Sequence, residues 1–498
     1  MLKNLASMST LNLFKAAIQF AISTLVGLYV LPSDYGLITF SLPIIQFIAL
    51  ITDLGLGSAI VRQPILTRAE GGSALTFSTA IAAVAGVALA LSGWPIERIS
   101  GLAGVSRVLA ALGVAVFFSI AAGVPRALME RSLRYQRIAL LEGMATITAT
   151  IACVAILIAG GGIWAVVTFH VLLQAVRAVS FTANAHRDFE INLAWKKVSG
   201  LLSFGGWVLA TNIITFLARN AQNLLIGFAL GAAVVGLYGM AYQFMTLPLM
   251  ALAWPASGVL LATLSRLDQD REKFRDTVIA VSSLTALVTF PLMAWMTFGL
   301  AWPITALFSA HWAGMLRIIP LLVPIGAMQS LSSYGGVTLL ARGKARLQLA
   351  LTVLSSTILV LGFLGSVFLG IYVFSVVYLL LSAVTSAVFI AFKVAAIGGE
   401  WRRYLSGLAG PVAGTAAGLA MALAIGIHPR SWLHWASLSA LYAAAVLLTY
   451  ALFWRRLIAS ISHLRDVAVR PGNRPRSEQR LEVDRPTTIE AGSEMVDS

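Results

Sequence analysis

Apolar residues run along this chain in blocks of about twenty, separated by short polar clusters. A helix rising 1.5 Å per residue needs roughly 20 such residues to cross a hydrocarbon layer of ~30 Å. Fourteen blocks have that length: 10–31, 37–61, 73–93, 102–125, 138–159, 161–183, 201–229, 232–264, 276–300, 315–340, 346–369, 371–397, 404–426 and 432–454. Neighbouring blocks nearly fuse around Gly160 to Gly162, Gly231 and Gly370, where glycines mark the expected breaks. The pattern predicts an all-α polytopic membrane protein with fourteen transmembrane helices.

The charges provide a separate check. Taking the N-terminus as cytoplasmic, alternate loops collect Arg62 and Arg68; Arg126, Arg131, Arg134 and Arg137; Arg187, Lys196 and Lys197; Arg266, Arg271, Lys273 and Arg275; Arg342, Lys344 and Arg346; Lys393, Arg402 and Arg403. The opposing loops hold Arg98 and Arg430 and little else, while Arg107 and Arg317 open helices on that side. Because cytoplasmic loops concentrate Lys and Arg, this alternation places both termini in the cytoplasm. It also accounts for the net charge of +15 without invoking nucleic acid. Beyond Arg456 the chain turns polar, and 457–498 reads as a disordered cytoplasmic tail.

The two halves resemble each other. At an offset of 200, Leu25, Gly27, Gly36 and Leu37 coincide with Leu225, Gly227, Gly236 and Leu237, and an AGxxR motif occurs around both Arg107 and Arg317. This predicts a six-helix N-lobe over 1–197, a matching C-lobe over 198–400, two appended helices over 401–456, and a substrate site between the lobes.

Polar residues inside the spans point to that site. Asn12, Lys15, Gln19 and Ser23 follow a 3, 4, 4 spacing, as do Asn212, Thr215, Arg219 and Asn223, so each set lies on one helical face. Polar faces turn away from lipid, so the first helix of each lobe is expected to border a wet cleft, with Asn220 beside it. Arg219 lies about ten residues from the end of its block, near mid-membrane, and needs an anionic partner or carbonyl contacts. Lys15 is shallower and can snorkel. Asp53 and Arg62 close the second span, in a coupling role or in helix packing beside Gly55 and Gly57. Glu142 and Arg177 read as interfacial anchors. Prolines 248, 255, 291, 303, 320 and 324 are expected to bend or interrupt the eighth to tenth spans.

Other chemistries lack their residues. The lone cysteine, Cys153, permits neither an intrachain disulfide nor a cysteine-based metal site. Gly343-Lys344 is not part of a phosphate loop, the six histidines show no metal spacing, and the loops are too short for a catalytic domain. No enzyme activity, cofactor or metal is expected.

The run LPSDYGL after the first span, TDLGLGSAIVR closing the second and VVGLYGMAYQF opening the eighth resemble the polysaccharide-transporter branch of the multidrug/oligosaccharidyl-lipid/polysaccharide (MOP) flippase superfamily. The resemblance implies two lobes around a V-shaped cavity in the bacterial inner membrane. It implies a flippase moving undecaprenyl-pyrophosphate-linked oligosaccharide for exopolysaccharide, capsule or O-antigen synthesis, in company with membrane lipids, a polymerase and a chain-length regulator. Under it, Arg219 and Lys15 would attract phosphate, Gln19, Asn212, Asn220 and Asn223 would contact glycan or water, and Asn12 would line the same cavity. Two alternatives share the architecture, a lipid II flippase and a multidrug or cation antiporter; the antiporter would favour acidic residues in the cavity. A membrane scaffold for the polymerase is a further alternative.

Overall fold

The glycine breaks and basic loops divide the chain into helices. A computed structural model describes residues 2–53, 56–63, 66–190, 213, 216, 220–267, 269–427, 429 and 431–469. Its helices are α1 (Leu2–Tyr29), α2 (Pro32–Asp53), α3 (Leu56–Arg62), α4 (Arg68–Ser100), α5 (Val105–Ala121), α6 (Gly123–Arg131), α7 (Tyr135–Ile158) and α8 (Ile163–Ala185). After α9 (220–230) come α10 (Ala232–Pro248), α11 (Trp254–Leu264), α12 (Arg271–Gly299), α13 (Ala301–Leu307), α14 (Met315–Ala341), α15 (Ala345–Ser366), α16 (Ile371–Ala396), α17 (Trp401–Ile425), α18 (Trp432–Leu452) and α19 (Trp454–Val469).

Twelve segments among the described residues are long and apolar enough to cross a membrane. The first helix carries a shorter apolar stretch, Phe14–Tyr29. Most of the expected seventh span, 201–219, and the expected lobe boundary at 197 and 198 lie outside the described residues. The all-helical, two-lobed plan is present, and the figure of fourteen remains an expectation.

Local chemistry sets the breaks. Gly231 and Gly370 start helices with φ of 87° and 96°, a left-handed region that costs a residue with a Cβ about 1–2 kcal/mol. The expected interruption of the eighth span is present: α10 ends at Pro248, five residues of π-helix (Leu249–Ala253) follow, and Pro255 begins α11.

The buried core forks. Toward the end opposite the basic loops, one cluster joins both lobes, with Val26, Ile38 and Phe40 packed together with Tyr238, Phe244 and Trp312. Toward the basic end the core separates into a cluster around Leu56, Leu128 and Phe181 in the first lobe and another around Leu264, Phe274 and Tyr334 in the second.

Because lipid is as apolar as a leucine side chain, hydrogen bonds and close backbone approach largely hold helices together in a membrane. Prolines make the clearest case here. Pro291 has no amide hydrogen, so the Leu287 carbonyl four residues earlier loses its helical donor; Tyr450 of α18 donates its hydroxyl there at 2.8 Å. Pro411 of α17 strands the Gly407 carbonyl in the same way, and Ser283 of α12 donates to it at 2.6 Å. Tyr442 adds a hydrogen bond to the Pro291 carbonyl at 2.8 Å. The appended helices are thus stitched to α12.

The structure corrects the sequence reading at Lys393 and in the tail. Lys393, grouped with the loop cations, is fully buried at the end of α16. Its ammonium donates to Tyr404 Oη at 2.7 Å, the Leu331 carbonyl at 2.9 Å and Ser282 Oγ at 3.4 Å. The segment read as a disordered tail is helical as far as Val469, because its apolar residues recur with helical period although their average is low.

Candidate functional site

The site is built where the core forks. Two glycines align the far end of the cleft. A Cβ on Gly36 would lie 1.8 Å from the Ala232 carbonyl oxygen, and one on Gly236 would lie 1.9 Å from that of Pro32. Only residues without side chains let α2 and α10 meet this closely. Nearby, Trp312 donates its indole N–H to the Val30 carbonyl at 3.0 Å, fastening the turn after α13 to the end of α1. Gln243 of α10 bridges the lobes: its amide nitrogen donates to Ser23 Oγ, and its oxygen accepts from Tyr35 Oη at 2.7 Å. Further along the seam Phe47 stacks on Phe216 with centroids 5.8 Å apart.

A polar cavity of about 150 Å³ opens between α2, α9 and α10, lined by Tyr35, Thr39, Gln46, Asn220 and Asn223 together with Leu42, Pro43 and Gly239. Asn220 Nδ2 donates to the Phe216 carbonyl at 3.0 Å, while Asn223 Oδ1 is buried with no donor among the described residues. An unsatisfied acceptor facing such a cavity is suited to a water or a hydroxyl.

Toward the basic end, charge gathers on the first lobe around Glu142, whose side chain is 3% exposed. Glu142 lies seven residues into α7, about 10 Å along the helix. One of its oxygens accepts from Lys15 of α1 and, at 2.5 Å, from Arg177 of α8; the other lies 3.4 Å from Arg126 of α6. Arg126 also pairs with Glu130 at 2.9 Å. Three cations therefore face two carboxylates, a surplus of one positive charge. Lys15 and Arg126 keep 31% and 42% of their side chains accessible, and Arg177 Nε is buried without a partner among the described residues. Unused donors on a positively biased cluster are suited to an oxyanion.

The residues expected from sequence are distributed as follows. Asn220 and Asn223 line the interlobe cavity, Ser23 joins the seam with Gln19 one turn away, and Lys15 enters the Glu142 cluster. The side chains of Asn12, Asp53 and Arg62, and Asn212 and Arg219 altogether, lie outside the described residues. Glu142 and Arg177 are not interfacial anchors: burial and mutual pairing make them the centre of an internal cluster. Sequence reading also passed over Gln243, Tyr35 and Gln46. A lone glutamine in each of two apolar blocks was the available signal.

This two-lobed helical arrangement is the fold of MOP-superfamily transporters. It superposes on the lipid II flippase MurJ in an inward closed conformation with a TM-score of 0.70 at 12% identity, covering 90% of this chain and 99% of that one. An inward-facing multidrug resistance MATE family transporter of the MOP superfamily gives 0.58 at 14% identity, covering 77% and 98%. The chain belongs to the polysaccharide biosynthesis protein family, whose model matches residues 29–317. It is 24% identical over 318 residues to the lipopolysaccharide biosynthesis protein WzxC of Escherichia coli (strain K12), covering 62% of this chain and 64% of that protein. It is 22% identical over 292 residues to the succinoglycan biosynthesis transport protein ExoT of Rhizobium meliloti (strain 1021), covering 58% and 59%. The chain thus matches less than two thirds of the length of each of these relatives.

Proposed function

We propose that this protein is a flippase that moves a phosphate- or pyrophosphate-linked oligosaccharide lipid across the bacterial inner membrane by alternating access, for assembly of a surface polysaccharide. The observation that carries this reading is the Glu142 cluster, with its positive surplus and open donors, set on the first lobe where the core forks. A pyrophosphate headgroup and a glycan cannot enter hydrocarbon unaided, since each unpaired polar group costs several kcal/mol there. Lys15, Arg126 and Arg177 would receive the phosphate. Arg219 would face it from the cleft, Gln19, Asn212, Asn220 and Asn223 would receive sugar hydroxyls or water, and Asn12 would line the same cavity. Asp53 and Arg62 are kept as coupling or structural residues. In this reading the seam at Gly36 and Gly236 is the closed periplasmic gate, the fork opens to the cytoplasm, and both termini are cytoplasmic. The lobes would span 1–197 and 198–400, and the protein would work beside a polymerase and a chain-length regulator, with no catalytic centre of its own. A positive cluster disfavours an exporter of organic cations.

The test is reconstitution. Liposomes containing the purified protein and a fluorescent lipid-linked oligosaccharide should translocate the label, and the double variant Lys15→Ala, Arg177→Ala should lose at least ten-fold in rate while staying folded. Arg219→Ala should be impaired similarly. Wild-type rates in the double variant would rule out the cluster as the phosphate site.

A further inference from the structure

Helix α19 begins two residues after α18 ends, with Phe453 between them. It is too short and too charged to be a span, and it has three sides. On one, Leu457 is buried, Val467 packs into the core cluster around Phe274, and His463 Nε2 lies 3.1 Å from Thr277 Oγ1 of α12. On the second, Trp454, Ile458 and Ile461 are exposed by 60%, 46% and 54%. Spacings of four and three keep them in one stripe, which the exposed Arg465 continues. The third side presents Ala459 and Ser462. The apolar stripe follows directly from the exposed band of α18 formed by Leu447, Leu448 and Leu452. Over the helix Arg455, Arg456 and Arg465 stand against Asp466 alone.

We infer that α19 lies in the headgroup layer of the membrane on the side of the basic loops, with Trp454, Ile458 and Ile461 at the acyl boundary and the exposed Arg465 serving anionic phospholipid headgroups. Three observations select lipid as the occupant. The chain enters α19 from a membrane-spanning helix, so the stripe starts at bilayer level. A tryptophan sits at the junction, where amphipathic rings concentrate. The arginine excess complements an anionic surface, and an interfacial helix of this composition buries its apolar face by roughly 5–10 Å. Since the opposite side grips α12, the helix ties the start of that span to the membrane surface, whatever the transported cargo.

The test uses the full-length protein with Cys153→Ala, leaving one introduced cysteine for a nitroxide at Ile461→Cys or Ser462→Cys. In vesicles containing phosphatidylglycerol, the label at 461 should collide with oxygen several-fold more than with a water-soluble nickel chelate, and the label at 462 should show the reverse. In pure phosphatidylcholine the label at 461 should move toward water. Equal nickel access at both positions would overturn the inference and leave the stripe for a protein partner. Equal depth of 461 in both lipids would overturn the anionic-headgroup assignment.

Discussion

Gly36 and Gly236 occupy equivalent places in the two sequence repeats, and each abuts the backbone of the other's helix, Gly36 at Ala232 and Gly236 at Pro32. The internal symmetry axis therefore passes through the seam between the lobes. In this matched pair, the two equivalent glycines meet each other across the seam.

This seam sets the first expectation. Gly36→Ala places a methyl 1.8 Å from a carbonyl oxygen that can move only with its helix, so α2 and α10 must part. Overpacking of this kind costs about 1–3 kcal/mol, and the variant should melt several degrees lower and transport poorly. Gly27→Ala meets the ring of Phe308, a side chain rather than a backbone, and should be the milder of the two in the same melting assay.

Gln243 is the polar bridge of the seam. Gln243→Leu removes both of its hydrogen bonds and leaves the Tyr35 hydroxyl unpaired, for a loss of about 1–3 kcal/mol. Combining it with Tyr35→Phe should add less than the sum of the single effects. Additive losses would show that the two side chains do not interact.

Glu142 holds three cations, so Glu142→Gln leaves Lys15 and Arg177 without their counter-charge. Removing one partner of a buried pair costs about 3–5 kcal/mol, reduced here because Lys15 and Arg126 are partly exposed; a loss of about 2 kcal/mol is expected. Inorganic pyrophosphate should raise the melting temperature of the wild-type protein and should raise it less in Lys15→Ala, Arg177→Ala.

A proline and a tyrosine on different helices should show coupling. Tyr450→Phe leaves the Leu287 carbonyl without a donor, a cost of about 1–3 kcal/mol. With Pro291→Ala in place the backbone supplies its own donor, and Tyr450→Phe should then cost little. A double-mutant cycle on thermal unfolding measures the difference, and a coupling near zero would contradict the geometry.

Lys393 has no carboxylate partner among the described residues, so it is held by neutral acceptors alone. Lys393→Met fills similar volume but strands the Tyr404 hydroxyl, while Lys393→Met with Tyr404→Phe removes both groups and should be at least as stable as the single variant. Chemical denaturation of the two variants gives the ordering.

The breaks at Gly231 and Gly370 were legible because a glycine between two apolar blocks has one physical use there. Of the polar stripe of α1, Ser23 meets Gln243 of the second lobe, while Lys15 turns to Glu142 within the first. The role of Glu142 was not legible: its partners come from α1, α6 and α8, and no spacing along the chain brings Lys15 to a residue 127 positions away. Lys393 was misread because loop charge counts tally cations without regard to where their side chains turn. In α19, averaging over the polar tail masked a short periodic segment.

The prolines of α12 and α17 fix more than curvature. Sliding α17 and α18 along α12 by a single turn would abandon two carbonyl oxygens to hydrocarbon, so this contact has one register, whereas a greasy contact of equal size would tolerate several. Any rocking of the second lobe must then carry both trailing helices with it as one rigid piece.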